Sequence, residues 1–254
     1  MSAPRIYKTN AIVLRQRRLG EADKILTLYT PNLGKIDAIA KGVRRPRSKL
    51  AGHVEPLTHS SFMLARGREL DIVTQVQTIE ALLPLREDLE RTGRALYVAE
   101  LVDRFTPERQ ESFRVFRLLL ETLRRLAIEE RLDLVLRSFE MRLIDALGYR
   151  PQLDECAGCG SSLQPVPNGW SAAAGGAVCP DCLRETSPSR PLSVNALKML
   201  RLLQRNDYAD VARVKLTPTL AEELERHLRD YLLYVLERDV RSVRFLETLR
   251  RSQP

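Results

Sequence analysis

The four cysteines of this chain fall in two CxxC pairs, Cys156-Ala157-Gly158-Cys159 and Cys179-Pro180-Asp181-Cys182, with nineteen residues between them. Two thiolates at this spacing grip one side of a tetrahedral ion, and a second pair roughly 15–20 residues on closes a four-sulfur cage. Gly158, Gly160 and Pro180 supply the turns that such knuckles need. Two disulfides would call for an oxidising compartment and usually a smaller chain. A redox CxxC normally occurs once, near a βαβ pattern, and none is visible. The expected ligands are therefore Cys156, Cys159, Cys179 and Cys182, and the expected ion is Zn²⁺. A four-thiolate site leaves no open position for water, so this zinc is structural. Function has to be sought elsewhere in the chain.

The 254 residues allow one large domain or two to three small ones, and 44% apolar residues suffice for a proper core. No apolar run precedes a cleavage site in Met1 to Arg18, so no signal peptide is expected, and no stretch approaches a membrane span. A cytosolic protein with reduced, zinc-holding thiols is the simplest reading. The net charge of +8 is unevenly placed: residues 1–80 hold 14 Lys+Arg against 7 Asp+Glu, and the rest hold 27 against 26. Such segregation points to a polyanion-binding N-terminal unit.

Residues 4–80 read as strands. Ile6–Arg17, Ile25–Thr30, Lys35–Ala40, Thr58–Leu64 and Leu70–Ile79 are rich in β-branched and aliphatic residues, with turns at Asn32-Leu33-Gly34 and Ala65-Arg66-Gly67-Arg68. Five short strands in about 75 residues suit a small closed barrel; the OB-fold is the commonest form, and an SH3-like barrel is the alternative. From Leu85 the period becomes helical. One stripe runs Leu96, Ala99, Leu101, Val102. Thr106-Pro107 marks a helix start, followed by Phe113, Phe116, Leu120, Leu123 and Ala127. Leu132, Val135, Phe139, Leu143, Ile144 and Leu147 form the next stripe, closed by Gly148 and Pro151. In the segment 149–191, Pro165, Pro167, Gly169, Gly175 and Gly176 are expected to break any regular element. Helices resume from Ser193 to about Arg205 and again after Thr217-Pro218, with Leu220, Leu224, Leu228, Tyr231 and Val235 buried; a last helix, Val240–Arg251, is weakly marked. The expected class is α+β: an OB-fold nucleic-acid-binding domain over 1–82, an α-helical domain over 83–254, and a zinc ribbon inserted at 150–191.

The strongest functional feature is Lys41-Gly42-Val43-Arg44-Arg45-Pro46-Arg47-Ser48-Lys49, five cations in nine residues with no acid. Gly42 and Pro46 imply a loop, and such a loop on a barrel can track phosphates and release counterions. Arg15, Arg17 and Arg18 end the first strand; Arg15 and Arg17 share a face by the period of two. Arg66 and Arg68 are weaker candidates. Tyr7, Tyr29 and Phe62 are the only aromatic stacking candidates of the barrel, and each could equally be core. His53, His59 and His227 are scattered, His227 reading as a packing or surface histidine. Glu100 and Asp103 sit one helical turn apart, with nothing to select them for metal or acid–base work. There is no G-x-x-x-x-G-K-[ST] loop, so ATP hydrolysis is not expected. A protein that works by binding, not an enzyme, is the reading.

The run Leu19-Gly20-Glu21-Ala22-Asp23-Lys24 into Leu26-Thr27-Leu28-Tyr29-Thr30-Pro31, then Gly34-Lys35 and Ala40-Lys41-Gly42-Val43-Arg44-Arg45-Pro46-Arg47-Ser48-Lys49-Leu50, resembles the bacterial recombination mediator family RecO. Glu55-Pro56-Leu57 sits where that family has its strand before the fourth barrel element, and a Cys-rich segment follows Leu147-Gly148-Tyr149 as it does there. The resemblance implies an OB-fold that binds single- and double-stranded DNA, anneals complementary strands and, with RecR, helps RecA replace single-strand-binding protein in the cytoplasm, at the nucleoid. It places Lys35 among the DNA-binding candidates beside Arg15, Arg17, Arg18, Lys41, Arg44, Arg45, Arg47 and Lys49. Two other readings stand beside it: an RNA-binding OB-fold protein, and an adaptor that docks proteins through its helices or ribbon. A zinc enzyme is remote because the cysteine site is closed.

Overall fold

The computed structural model describes residues 5–185 and 188–251, the side chains from 238 onward excepted. The chain divides into two compact units, Met1–Leu132 and Asp133–Pro254. The first unit opens with five strands, β1 (Ile6–Leu19), β2 (Asp23–Thr30), β3 (Gly34–Ala40), β4 (His59–Ala65) and β5 (Asp71–Glu80). They form a closed barrel in the order β1-β2-β3-β5-β4. All pairings are antiparallel except the short parallel contact of β3 with β5 through Ala38–Asp71 and Ile39–Ile72. This is the Greek-key order of the OB-fold, which settles the choice between barrel types.

Strand alternation fills the barrel. Ala11, Val13, Leu26, Leu28, Ile36, Ala38, Phe62, Leu64 and Val73 point inward and are almost fully buried, and Val43 and Val54 join them from the loop after β3. A bulge between Val13 and Arg15 changes the phase of β1. Before it Ala11 and Val13 face inward; after it Gln16 does, donating to the Val54 carbonyl. Arg15 and Arg17 are thereby set on the outer face. Glu55-Pro56-Leu57 is a turn and not a strand: Leu57 adopts φ +67°, and its N–H bonds the Val13 carbonyl opposite the bulge.

Helices α1 (Pro84–Glu87), α2 (Leu89–Phe105) and α3 (Phe113–Ile128) complete this unit. Helices α2 and α3 lie against the outer face of β1 and β2, where Ile12 and Tyr29, outward from the barrel interior, are fully buried. The buried stripe of α2 is Ala95, Val98, Ala99, Val102 and Phe105, whereas Leu96 is 45% exposed. The apolar identity of Leu96 suggested a stripe one step out of phase. Thr106 does not open a helix. Its hydroxyl and its N–H both bond the Val102 carbonyl, so it closes α2, and Ser112 caps α3 at the Val115 N–H. The residues between pass Gly34 so closely that a Cβ there would lie 1.9 Å from the Gln110 carbonyl oxygen. With φ +62° as well, position 34 requires glycine. Phe113, expected in the buried stripe, is 61% exposed; Val115, Leu119 and Leu126 take its place beside Phe116 and Leu123.

In the second unit α4 spans Leu132–Ala146 and is buried on nearly every face. It ends as expected at Gly148: the Gly148 N–H bonds the Asp145 carbonyl and the Tyr149 N–H bonds that of Ile144, a Schellman closure. The cysteine segment is more regular than its glycines and prolines suggested. Strands β6 (Asn168–Ser171), β7 (Gly176–Val178) and β8 (Arg190–Leu192) form a sheet in the order β7-β6-β8, and α5 (Pro180–Glu185) follows β7. Gly169 lies inside β6 because a Cβ there would meet Leu183 at 2.5 Å and Val178 at 2.7 Å. Ser193 caps α6 (Val194–Arg205) through the Ala196 N–H, and a single turn, α7 (Tyr208–Val211), follows. Thr217 caps α8, one continuous helix from Pro218 to Arg251, so no separate helix begins at Val240. Trp170 of β6 packs on His227 and Tyr231 of α8 at ring separations of 5.7 and 5.6 Å, tying the small sheet to the long helix.

Candidate metal centre and nucleic-acid interface

The two knuckles bring all four cysteine sulfurs within 4.8 Å of one another. Tetrahedral metal–sulfur bonds of ~2.3 Å set sulfurs about 3.8 Å apart, and the Cys159 and Cys179 sulfurs are 3.8 Å apart. The first knuckle is built by its backbone: the Cys156 N–H bonds the Ser161 carbonyl, the Gly160 N–H returns to the Cys156 carbonyl, and Gly160 takes φ +76°. A Cβ on Gly158 would sit 3.2 Å from the Cys182 sulfur, a tight contact that would press on that ligand.

Donors surround the sulfurs before any ion does. The Cys179 N–H points at the Cys156 sulfur at 3.2 Å, and Ser161 Oγ lies 3.2 Å from the Cys159 sulfur. Burial pushes the Cys156 thiol up, but the N–H groups of Cys179, Cys159 and Gly158 outweigh it and hold the thiol near 6. Cys182 moves the other way, raised by the three sulfurs around it. Four adjacent thiolates repel one another, and a bound cation removes that repulsion. The donor set, spacing and hydrogen bonds therefore fit a metal ion held by four sulfurs, with no place for a reacting water.

The cationic candidates separate into two groups. Arg15 Nε is 2.6 Å from Asp103 Oδ2, Arg17 pairs with Asp37, and Lys35 Nζ lies 3.2 Å from Asp103 Oδ1. The structure brings these three together on the β1–β2–β3 outer face, but against carboxylates. Asp103 therefore has a role that its helical spacing with Glu100 did not reveal. Arg18, Lys41, Arg44, Arg45, Arg47 and Lys49 are exposed. Five of them lie on the loop after β3, which is anchored and not free. Val43 is buried in the barrel core and Leu50 packs against it. The Gly42 N–H bonds Asp23, the Arg44 N–H bonds the Ala22 carbonyl, and the Arg44 guanidinium donates to the Glu21 carbonyl at 2.8 Å. The loop is thus clamped to the β1–β2 turn, beside Arg18.

Of the aromatics, Tyr29 and Phe62 are fully buried. Tyr7 is half-buried; burial and its hydrogen bond to Asp71 raise its phenol above the usual range, and Arg66 covers its ring at 5.1 Å. None of the three offers a stacking platform. His227 is a packing histidine, its pKa lowered by burial.

The family profile described as Recombination protein O N terminal matches residues 1–82, and that described as Recombination protein O C terminal matches residues 86–244. The chain belongs to the RecO family. A DNA repair protein RecO of Roseiflexus sp. (strain RS-1) is 47% identical over 246 residues, covering 97% of this chain and 87% of the relative. One from Dehalococcoides mccartyi (strain ATCC BAA-2266 / KCTC 15142 / 195) is 41% identical over 252 residues, covering 99% of both chains. A third, from Symbiobacterium thermophilum, is 38% identical over 251 residues. DNA repair is therefore the function of the family, and the RecO resemblance seen in the barrel extends over the whole chain. Among the described residues no helix is long and apolar enough to cross a membrane.

Proposed function

We propose that this protein is a recombination mediator that binds single- and double-stranded DNA and anneals complementary strands without chemistry of its own. The observation that carries this reading is the clamped loop Lys41–Lys49: five exposed cations, no acid, Val43 buried in the barrel core, and Leu50 just after it packed against that core. Guanidinium and ammonium groups fixed on a rigid barrel neutralise phosphates and release counterions. Because Tyr7, Tyr29 and Phe62 of the barrel offer no stacking platform, a strand on the barrel is held by its backbone and its bases stay free to pair. Two strands whose charge is partly neutralised can then approach each other.

On this reading 1–82 is the nucleic-acid-binding domain and 83–254 the helical domain, with the ribbon at 150–191 inserted in it. Arg18, Lys41, Arg44, Arg45, Arg47 and Lys49 make the phosphate contacts. Arg15, Arg17 and Lys35 contribute less, because Asp103 and Asp37 already balance them. Cys156, Cys159, Cys179 and Cys182 hold Zn²⁺, which supplies structure only. RecR, single-strand-binding protein and, through them, RecA are the expected partners, in the cytoplasm at the nucleoid.

The test is annealing of complementary oligonucleotides coated with single-strand-binding protein, without ATP. Acceleration at moderate salt that is lost in the Arg44→Ala, Arg45→Ala, Arg47→Ala triple variant is the expected result. No acceleration over the protein-free control would overturn the mediator reading in favour of an RNA-binding or docking role.

A further inference from the structure

The outer surface of β1, β4 and β5 carries a groove of about 510 Å³ that no helix of the first unit fills. Its floor follows the strand register. Lys8, Met63 and Gln75 stand side by side across the three strands, and Ser61 and Gln77 form the next rung. Lys49, the last cation of the basic loop, also lines it. Gln75 and Gln77 are exposed while their cross-strand neighbours Ser61 and Met63 are half-buried. The Ser61 hydroxyl makes no hydrogen bond.

The lining contains two cations, amides, hydroxyls and no carboxylate. The grooves on α8, by contrast, contain Glu222, Glu225, Asp230 and Glu237. The opposite face of the barrel, over β2 and β3, is where an OB-fold ordinarily takes an oligonucleotide. Here that face is obstructed: Tyr29 is buried, Asp103 of α2 holds Arg15 and Lys35, and Asp37 holds Arg17.

We propose that a single nucleic-acid strand leaving the basic loop at Lys49 continues along the β1–β4–β5 groove. Lys8 and Lys49 contact phosphates, and the Gln75 and Gln77 amides donate to phosphate or sugar oxygens, contacts that fix a backbone without reading sequence. A flexible single strand can turn from the loop into this recess; a duplex, with a persistence length of about 50 nm, is too stiff to follow. The inference rests on the nucleic-acid-binding reading above and adds a path to it.

The experiment is fluorescence-anisotropy binding of a labelled oligo-dT across a salt series, with the full chain, the loop triple variant and the variant Lys8→Gln, Gln75→Glu, Gln77→Glu. The groove variant should bind at least tenfold more weakly at moderate salt, and Lys8→Gln alone should flatten the slope of log K against log salt by about 0.7, the loss of one phosphate contact on a single strand. Amine-reactive footprinting of the unaltered protein gives an independent readout: oligo-dT should protect Lys8 and Lys49 and leave the exposed Lys198 unprotected. Wild-type affinity in the groove variant together with an unprotected Lys8 overturns the path while leaving the loop assignment standing. Protection of Lys8 by a polyglutamate peptide but not by oligo-dT makes the groove a protein-docking site instead. An unaltered protein that binds no oligonucleotide overturns both readings.

Discussion

At the residue scale the decisive pairs join positions far apart in the chain, and that is why composition misplaces them. Arg15 and Asp103 are 88 residues apart, and nothing in either neighbourhood announces the other. All the cationic candidates but Lys35 follow from charge alone, but which of them meet a carboxylate depends on Asp103 of α2 and Asp37 of β3. Glu80, unremarked in the sequence, is another such residue. Arg124 of α3 donates to it through Nε and Nη2 at 2.8 and 2.6 Å, and His59 Nδ1 lies 3.0 Å away. The Arg124 hydrogen bonds, with help from His59 and against partial burial, hold the Glu80 carboxyl down to about 2. A carboxylate with a depressed folded-state pKa stabilises the fold above its ordinary pKa and loses that contribution as pH falls toward the lowered value. Arg124 is half exposed, so screening reduces the contribution to on the order of 1 kcal/mol. Glu80→Gln should be less stable than the parent at pH 7 by about that amount, with the gap closing as pH falls from about 4.5 toward 2. Urea unfolding at several pH values checks this, and a pH-independent gap would remove the ion pair as its cause.

At the element scale, the same signal gave opposite outcomes. Thr217-Pro218 opens α8, whereas Thr106-Pro107 closes α2, because the Thr106 hydroxyl is taken by the carbonyl four residues back. A threonine before a proline marks a helix boundary without saying which side the helix lies on. The ribbon shows the converse limit. Its glycines have the look of breakers, yet Gly169 and Gly176 lie within strands: a side chain at Gly169 would strike Leu183, and one at Gly176 would lie 2.2 Å from the Gln152 carbonyl oxygen. Close packing demands glycine there, and spacing alone cannot distinguish that from a turn. The sheet also holds Trp170, the one tryptophan of the chain, 2% exposed against His227 and Tyr231. On the proposed Zn²⁺ reading, stripping the ion with a strong chelator restores thiolate repulsion directly beside β7. The tryptophan emission should move to longer wavelength and return when Zn²⁺ is added back. Unchanged emission after demonstrated metal loss would mean that packing on α8 alone holds the ribbon.

At the scale of the whole molecule, the barrel was the most legible part, because runs rich in β-branched and aliphatic residues, bounded by turn signals, mark five short strands of the kind a small closed barrel uses. The helices were legible as elements but not in phase, since leucines such as Leu96 stand on exposed faces too. Charge was legible in sum, and its segregation leads to a division of labour that salt can resolve. The loop carries five cations without an acid, while residues 150–191 carry three Arg against four Asp and Glu, with Arg190 held by Asp230 at 2.6 Å. A segment of that composition has no excess positive charge to offer a phosphate backbone. Each phosphate neutralised on a single strand contributes about 0.7 to the dependence of log K on log salt. The Arg44→Ala, Arg45→Ala, Arg47→Ala variant should therefore lower that slope by roughly 2 if each arginine holds one phosphate. Chelation of the metal in the otherwise unaltered protein should leave the slope where it was, even as the tryptophan signal reports a loosened ribbon. A slope that falls on chelation would place the ribbon on the nucleic acid. A slope unmoved in the triple variant would take the loop off it, and with it the physical basis for annealing by charge neutralisation.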